Sequence, residues 1–254
     1  MTSMRTFRNG STPTVLLVHG AFADGSSWSG VIAALQADGM DVQALANPLR
    51  GTAADATYVA GIAAAIDGPV LLVGHSYGGM VVDRAAVLAP NVVGLVFVAA
   101  FVLAEGEKVA DVTGRFPDSL LGPALRPAPF PAGDGVPGVE LYIREDRFAD
   151  VFGADLPVSD TAVSAAAQRP VAASAFEETS PAVAWRTLPT WFVIATADRA
   201  IHPDAQRFMA QRAGSRTVEV DASHAVARSQ PAAVAAHIRA AALAPRARFQ
   251  PLPL

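Results

Sequence analysis

The sequence predicts a doubly wound α/β fold: a mainly parallel sheet of about six strands, helices on both faces, and one long insertion. Three observations carry this. Short apolar runs recur along the chain, and several are continuously apolar, as strands covered on both faces are. All but one of the runs are followed by a segment of helical length and pattern. Strands alternating with helices require right-handed crossovers, which leave neighbouring strands parallel.

The elements follow in order. Thr14–His19 (TVLLVH) precedes a helical segment at Trp28–Ala37, Asp41–Leu45 precedes Ala53–Ile66, and Pro69–Gly74 (PVLLVG) precedes Gly79–Leu88. Val92–Ala99 (VVGLVFVA) runs into the insertion. Beyond it, Thr190–Thr196 (TWFVIAT) leads to Pro203–Ala213, and Arg216–Val220 (RTVEV) leads to Pro231–Leu243. Ser229 can cap that last helix, and Pro231 is pre-set for its first turn. From Phe101 to Arg186 the rhythm stops. A Pro/Gly-rich passage (Gly122–Gly138) is followed by amphipathic pieces at Glu145–Phe152 and Asp160–Gln168, so a mostly helical cap is expected, of a length usually reserved for a functional lid. The expected organisation is a core of residues 1–100 and 187–244, a cap of 101–186, and a flexible tail of 245–254, whose three prolines cannot extend a helix.

Composition narrows the chemistry. The 254 residues carry 19 basic and 23 acidic side chains, and a net charge of −4 gives no electrostatic case for nucleic acid or an anionic membrane as partner. Cysteine is absent, which removes thiolate nucleophiles and Cys-ligated metals, and Lys108, the single lysine, lies in no Gly-rich loop. Met1–Pro13 has no long apolar stretch, so no secretory signal is expected. The longest nearly uninterrupted apolar run, Val92–Ala104, falls short of the ~20 residues of a membrane span, and a cytoplasmic location is expected. No Gly-x-Gly-x-x-Gly follows the first strand, which removes a dinucleotide-dependent oxidoreductase.

One constellation carries chemistry. Gly74-His75-Ser76-Tyr77-Gly78-Gly79 joins a strand to a helix. Gly-x-Ser-x-Gly is weak as a bare pattern, but here the sharp turn forces Ser76 into a strained backbone and lifts its Oγ above the sheet edge. A serine hydroxyl needs a base, and His224 (Asp221-Ala222-Ser223-His224) lies just after the last strand. The orienting carboxylate should follow another strand between the two, which Asp198 does; Asp221, Asp204 and Glu105 are its rivals. His75 should point away from Oγ, His202 belongs to a loop, and His237 reads as surface. The oxyanion requires preorganised N–H donors, and the backbone amides of Tyr77 and Ala21 (His19-Gly20-Ala21-Phe22) stand where this architecture supplies them.

VLLVHGAFADGSSW (15–28), VGHSYGG (73–79), ATADRAIHPDAQRFMA (195–210) and VDASHAV (220–226) together resemble the α/β-hydrolase superfamily. They are similar in particular to its compact branch of small bacterial esterases, plant methylesterases and hydroxynitrile lyases. The resemblance spans nearly the whole chain except the cap and tail. It implies a Ser76–Asp198–His224 triad, an Ala21/Tyr77 oxyanion hole, a mostly helical cap over an apolar pocket, and a core without the strand pair that larger members carry before His19. Hydroxynitrile lyases of this fold place a threonine after the first motif histidine and a lysine after the catalytic one. Here those positions are Gly20 and Ala225, which favours an esterase. The expected function is therefore cleavage of a small or medium ester or lactone, without metal or cofactor. Lyase or perhydrolase chemistry on the same triad, or a non-catalytic binding protein on this fold, are the alternatives.

Overall fold

The computed structural model describes residues 12–133 and 135–245. The expected tail lies almost wholly outside them. In chain order the core begins β1 (Thr14–Val18), α1 (Ser29–Ala37), β2 (Val42–Leu45), α2 (Thr52–Ala65), β3 (Val70–His75), α3 (Gly78–Leu88) and β4 (Val92–Val98). An inserted segment holds α4 (Val109–Thr113), α5 (Leu121–Ala124), β5 (Leu125–Pro131), β6 (Pro137–Ile143), α6 (Glu145–Phe152), α7 (Val158–Ala167) and β7 (Val171–Ala172). The core resumes with β8 (Thr190–Ala195), α8 (Pro203–Arg212), β9 (Arg216–Val220), α9 (Val226–Ser229) and α10 (Pro231–Ala242).

Six strands form one parallel sheet in the order β2-β1-β3-β4-β8-β9. All six residues of β3 are buried, which is why it reads as continuously apolar. Alternate residues serve opposite faces. Leu16 and Val18 join the apolar cluster that includes residues of α2, α3 and α8, whereas Val15 and Leu17 join the one that includes Trp28, α1 and α10. The chain leaves β1 toward β2 on one side and returns to β3 on the other. The reversal falls at the carboxyl ends of β1 and β3, the place where such sheets bind ligands.

Two expectations are revised in detail. Besides the helices expected of it, the insertion holds a three-stranded antiparallel sheet of β5, β6 and β7. Its first strand, LRPAPFP, hid in the proline-rich passage. Pro127, Pro129 and Pro131 recur at every second position, so their missing N–H groups all fall on the side away from β6, and Arg126, Ala128 and Phe130 face the pairing edge. The second correction is local: Ser229 closes α9, and Gln230 is the residue that precedes Pro231 at the start of α10. Among the described residues no helix is long and apolar enough to cross a membrane.

Candidate active site

The β3–α3 turn fixes Ser76 by steric exclusion. A Cβ on Gly74 would lie 2.4 Å from Gly78 O, and one on Gly78 would lie 2.5 Å from Val18 O on β1, so the turn closes both on itself and on its neighbour strand. Ser76 at its apex has φ +54°, a left-handed conformation that an L side chain adopts only under constraint. The constraint is visible: Ser76 N–H donates to Val98 O (3.2 Å), and its carbonyl accepts from Gly79 (3.0 Å) and Phe101 (3.2 Å).

The loop after β1 lies against this turn. A Cβ on Gly20 would lie 2.7 Å from Ser76 Cβ and 2.9 Å from His75 O, so no side chain fits there in this arrangement. His19 holds the loop from below. Its Nδ1–H donates to Gly20 O (2.8 Å), its Nε2 accepts from Asn47 N–H (3.1 Å), and the Asn47 side-chain amide donates to His19 O (3.0 Å). Burial pushes the His19 imidazole down to about 4 despite the bond to Gly20, so it is neutral near pH 7. Among the described residues the amides of Ala21 and Tyr77 donate to no acceptor, whereas the next one along, Phe22, is taken by Arg169 O at 3.0 Å. The Tyr77 side chain is turned away, with its hydroxyl on Asp55 (2.8 Å) and its ring edge-on to Phe176.

The loop after β9 crosses back toward the elbow. His224 Nδ1–H donates to Asp198 Oδ2 at 2.7 Å, which leaves Nε2 with its lone pair free to accept a proton. Both residues are buried, and Asp198 is held from three further sides. Its Oδ1 accepts from the Ala200 and Ile201 amides (2.7 and 2.9 Å), and its Oδ2 also accepts from Gln206 Nε2 (2.8 Å). His75 joins the two halves of the site. Its Nε2–H donates to His224 O (2.9 Å) and its ring lies 4.7 Å from that of His224, while burial and the neighbouring imidazole hold it neutral. Among the described residues no hydrogen bond links Ser76 to His224; such contacts commonly tighten only with substrate in place.

Ser76, Asp198 and His224 thus converge on one sheet edge, with Ala21 and Tyr77 beside Ser76. The rival acids stand apart. Glu105 is exposed and bridges Ser180, Asp221 is exposed, and Asp204 pairs with Arg207 in the first turn of α8. His202 caps α8 by accepting from Asp204 N–H; His237 is half-buried, not purely surface, and bonds Arg216 O. Sequence reasoning missed Gln206, Asn47 and the pair Ser223–Asp155. Gln206 had a signal, a polar side chain among the buried apolar positions of α8, but the others are set by contacts between distant segments. Among the described residues no group of three or more His, Cys, Asp or Glu is placed to hold a metal ion.

A sequence model of the Alpha/beta hydrolase family matches residues 15–237, most of the chain. The chain belongs to the α/β-hydrolase family. Several solved structures superimpose over most of its length. Polyneuridine aldehyde esterase aligns with a TM-score of 0.76 at 17% identity, covering 89% of this chain and 97% of that one. A pyrethroid hydrolase from Sphingobium faniae JZ-2 gives 0.74 at 23%, covering 92% and 99%. Tomato methylketone synthase I, complexed with 2-tridecanone, gives 0.74 at 19%, covering 91% and 98%. No curated protein sequence matches. At these identities the solved structures establish a shared fold.

Proposed function

We propose that the chain is a serine hydrolase that cleaves a small or medium carboxylic ester or lactone through an acyl-enzyme. The observation that carries this reading is the buried 2.7 Å bond from His224 to Asp198, set beside a serine in strained conformation. Ser76 Oγ attacks the carbonyl carbon while His224 Nε2 takes its proton, and the Ala21 and Tyr77 amides receive the oxyanion. His224 returns the proton to the leaving alcohol as the tetrahedral intermediate collapses. Water then repeats the sequence on the acyl-enzyme. Asp198 holds the imidazole in the Nδ1–H tautomer and stabilises it when charged.

The insertion between β4 and β8 is read as a lid, since Phe152 sets its ring edge-on to His224 and Phe176 sets its own on Tyr77. Two named neighbours, an esterase and a pyrethroid hydrolase, fit ester cleavage. The closure around Gly20 counts against a hydroxynitrile lyase, which needs a side chain at that position. The test is a panel of p-nitrophenyl esters of increasing acyl length, with lactones and an amide. Wild type should turn over at least one ester, a fluorophosphonate should label Ser76, and Ser76→Ala should lower kcat about 10⁴-fold or more with its melting temperature kept. Labelling at a different serine, or an inert wild type, would contradict the reading.

A further inference from the structure

The residues on either side of His224 are tied to the insertion. Ser223 N–H donates to Asp155 Oδ2 (3.1 Å) and the Ser223 hydroxyl donates to Asp155 Oδ1, so one carboxylate captures both donors of the residue preceding the histidine. The residue after it, Ala225, donates its N–H to Phe152 O (2.9 Å), at the end of α6. The Phe152 ring stands edge-on to His224 with centroids 5.0 Å apart. Two residues earlier on α6, Asp150 pairs with Arg199, the neighbour of Asp198. The same short helix and the turn after it therefore touch the loops of both the acid and the base. Phe148, Val151 and Phe152 seat that helix by burial.

Apart from the His224–Asp198 bond, the core reaches the histidine loop through its backbone. His75 donates to His224 O (2.9 Å), and Ala197 N–H donates to Ala222 O (3.1 Å). Neither contact fixes the flanking amides, whose directions set how the imidazole leans toward Ser76. Partial burial opposes ionisation of Asp155, but hydrogen bonds, Ser223's foremost, keep its carboxyl below the ordinary Asp range and hence charged at neutral pH.

We propose that α6 and its following turn act as a strap over the catalytic loops, and that Asp155 is a positioning residue that aims His224 through Ser223. The inference rests on His224 being the base. It makes chemistry conditional on the insertion being seated: when α6 lifts, the histidine loop loses both flanking anchors.

The test compares Asp155→Ala, Asp155→Asn, Ser223→Ala and the Asp155→Ala/Ser223→Ala double variant on the ester that wild type cleaves best. An ångström of misplacement is worth up to about 100-fold, so Asp155→Ala should lose about 10- to 100-fold in kcat with KM nearly unchanged. Asn keeps one acceptor oxygen and should fall between Ala and wild type. The double variant should be no slower than the slower single one, because both changes remove the same link. The rate of fluorophosphonate labelling at Ser76 should fall in parallel, a readout that a loss of fold stability would leave untouched in the folded fraction. Asp146→Asn, which alters a surface pair between α6 and the preceding Arg144, should match wild type. An active wild type with Asp155→Ala within twofold in kcat, a loss confined to KM, or losses that multiply in the double variant would overturn the strap alone. Should Asp155→Ala fail to fold, Ser223→Ala with kcat near wild type would overturn it. A wild type inert on every ester and lactone overturns the hydrolase reading and the strap with it.

Discussion

Gln206 has no exposed surface, and both ends of its amide are paired. Its Oε1 accepts from the Ala195 amide (3.1 Å), and its two N–H groups serve Asp198 Oδ2 (2.8 Å) and Ile201 O (2.9 Å). A single side chain thus joins the end of β8, the Asp198 carboxylate and the turn into α8. Gln206→Leu should strip Asp198 of a donor and strand two buried backbone groups, lowering stability by at least about 2 kcal/mol in urea titrations. It should also slow ester turnover at temperatures where the variant is fully folded; full turnover there would show that Asp198 needs no help from Gln206. The contrast with Ser76, Asp198 and His224 is instructive. Those three were legible because each sits at a fixed offset from a strand that reads clearly in sequence. Gln206 could be read only as a polar residue among apolar positions, because its role depends on which face of α8 meets the acid, and Asn47 depends on β1 and β2 lying side by side. Strain at single residues gathers at the same edge. Phe22, Leu49, Ser76 and Ala99 are the described non-glycine residues with positive φ, and each falls within four residues of the end of one of β1 to β4.

Among elements, α3 does more than carry the elbow. From its buried face Asp83 accepts the Ala184 and Trp185 amides (3.0 and 2.9 Å), fastening the segment that leads back from the insertion into β8. Burial pushes the Asp83 carboxyl up to about 7, with the two amides opposing. A group whose pKa is raised on folding contributes stability at low pH and loses it as pH climbs through the folded value. Both amides reach Asp83 Oδ1, so Asp83→Asn keeps the oxygen that accepts them and cannot ionise. Its stability relative to wild type, read from denaturant midpoints, should therefore improve steadily between about pH 4 and 7; a difference flat with pH would mean that Asp83 is already charged at the acid end. Elements also differ in how well they could be read. The core strands announced themselves because both faces are buried. The β5–β6 hairpin did not, since its strands are half-exposed and one is built on alternate prolines, a pattern that usually argues against a strand. The helical pieces of the insertion were found where amphipathicity is strong, as at α6, which spans the residues expected of it, 145–152.

At the scale of the whole molecule, the order β2-β1-β3-β4-β8-β9 explains why residues 21, 76, 198 and 224 meet at all: each follows a strand, and parallel strands deliver all their ends to one side. That assembly was legible from the alternation alone, whereas the way the insertion bears on it was not. The same architecture leaves edges. β9 lies at one side of the main sheet and shows Arg216, Thr217 and Glu219 to solvent, which discourages another strand from joining. The small sheet solves the problem differently. With Pro127, Pro129 and Pro131 along the open side of β5, that rim presents carbonyls and no amide hydrogens, so an incoming strand would find half of its ladder missing. Threonine at all three positions should preserve the hairpin and restore the donors, and light scattering should then detect self-association that wild type lacks; a variant as monodisperse as wild type would show that the prolines serve another purpose. The prolines act as insulation: they let the protein keep a bare β-rim without that rim becoming a seed for fibrils or swapped dimers.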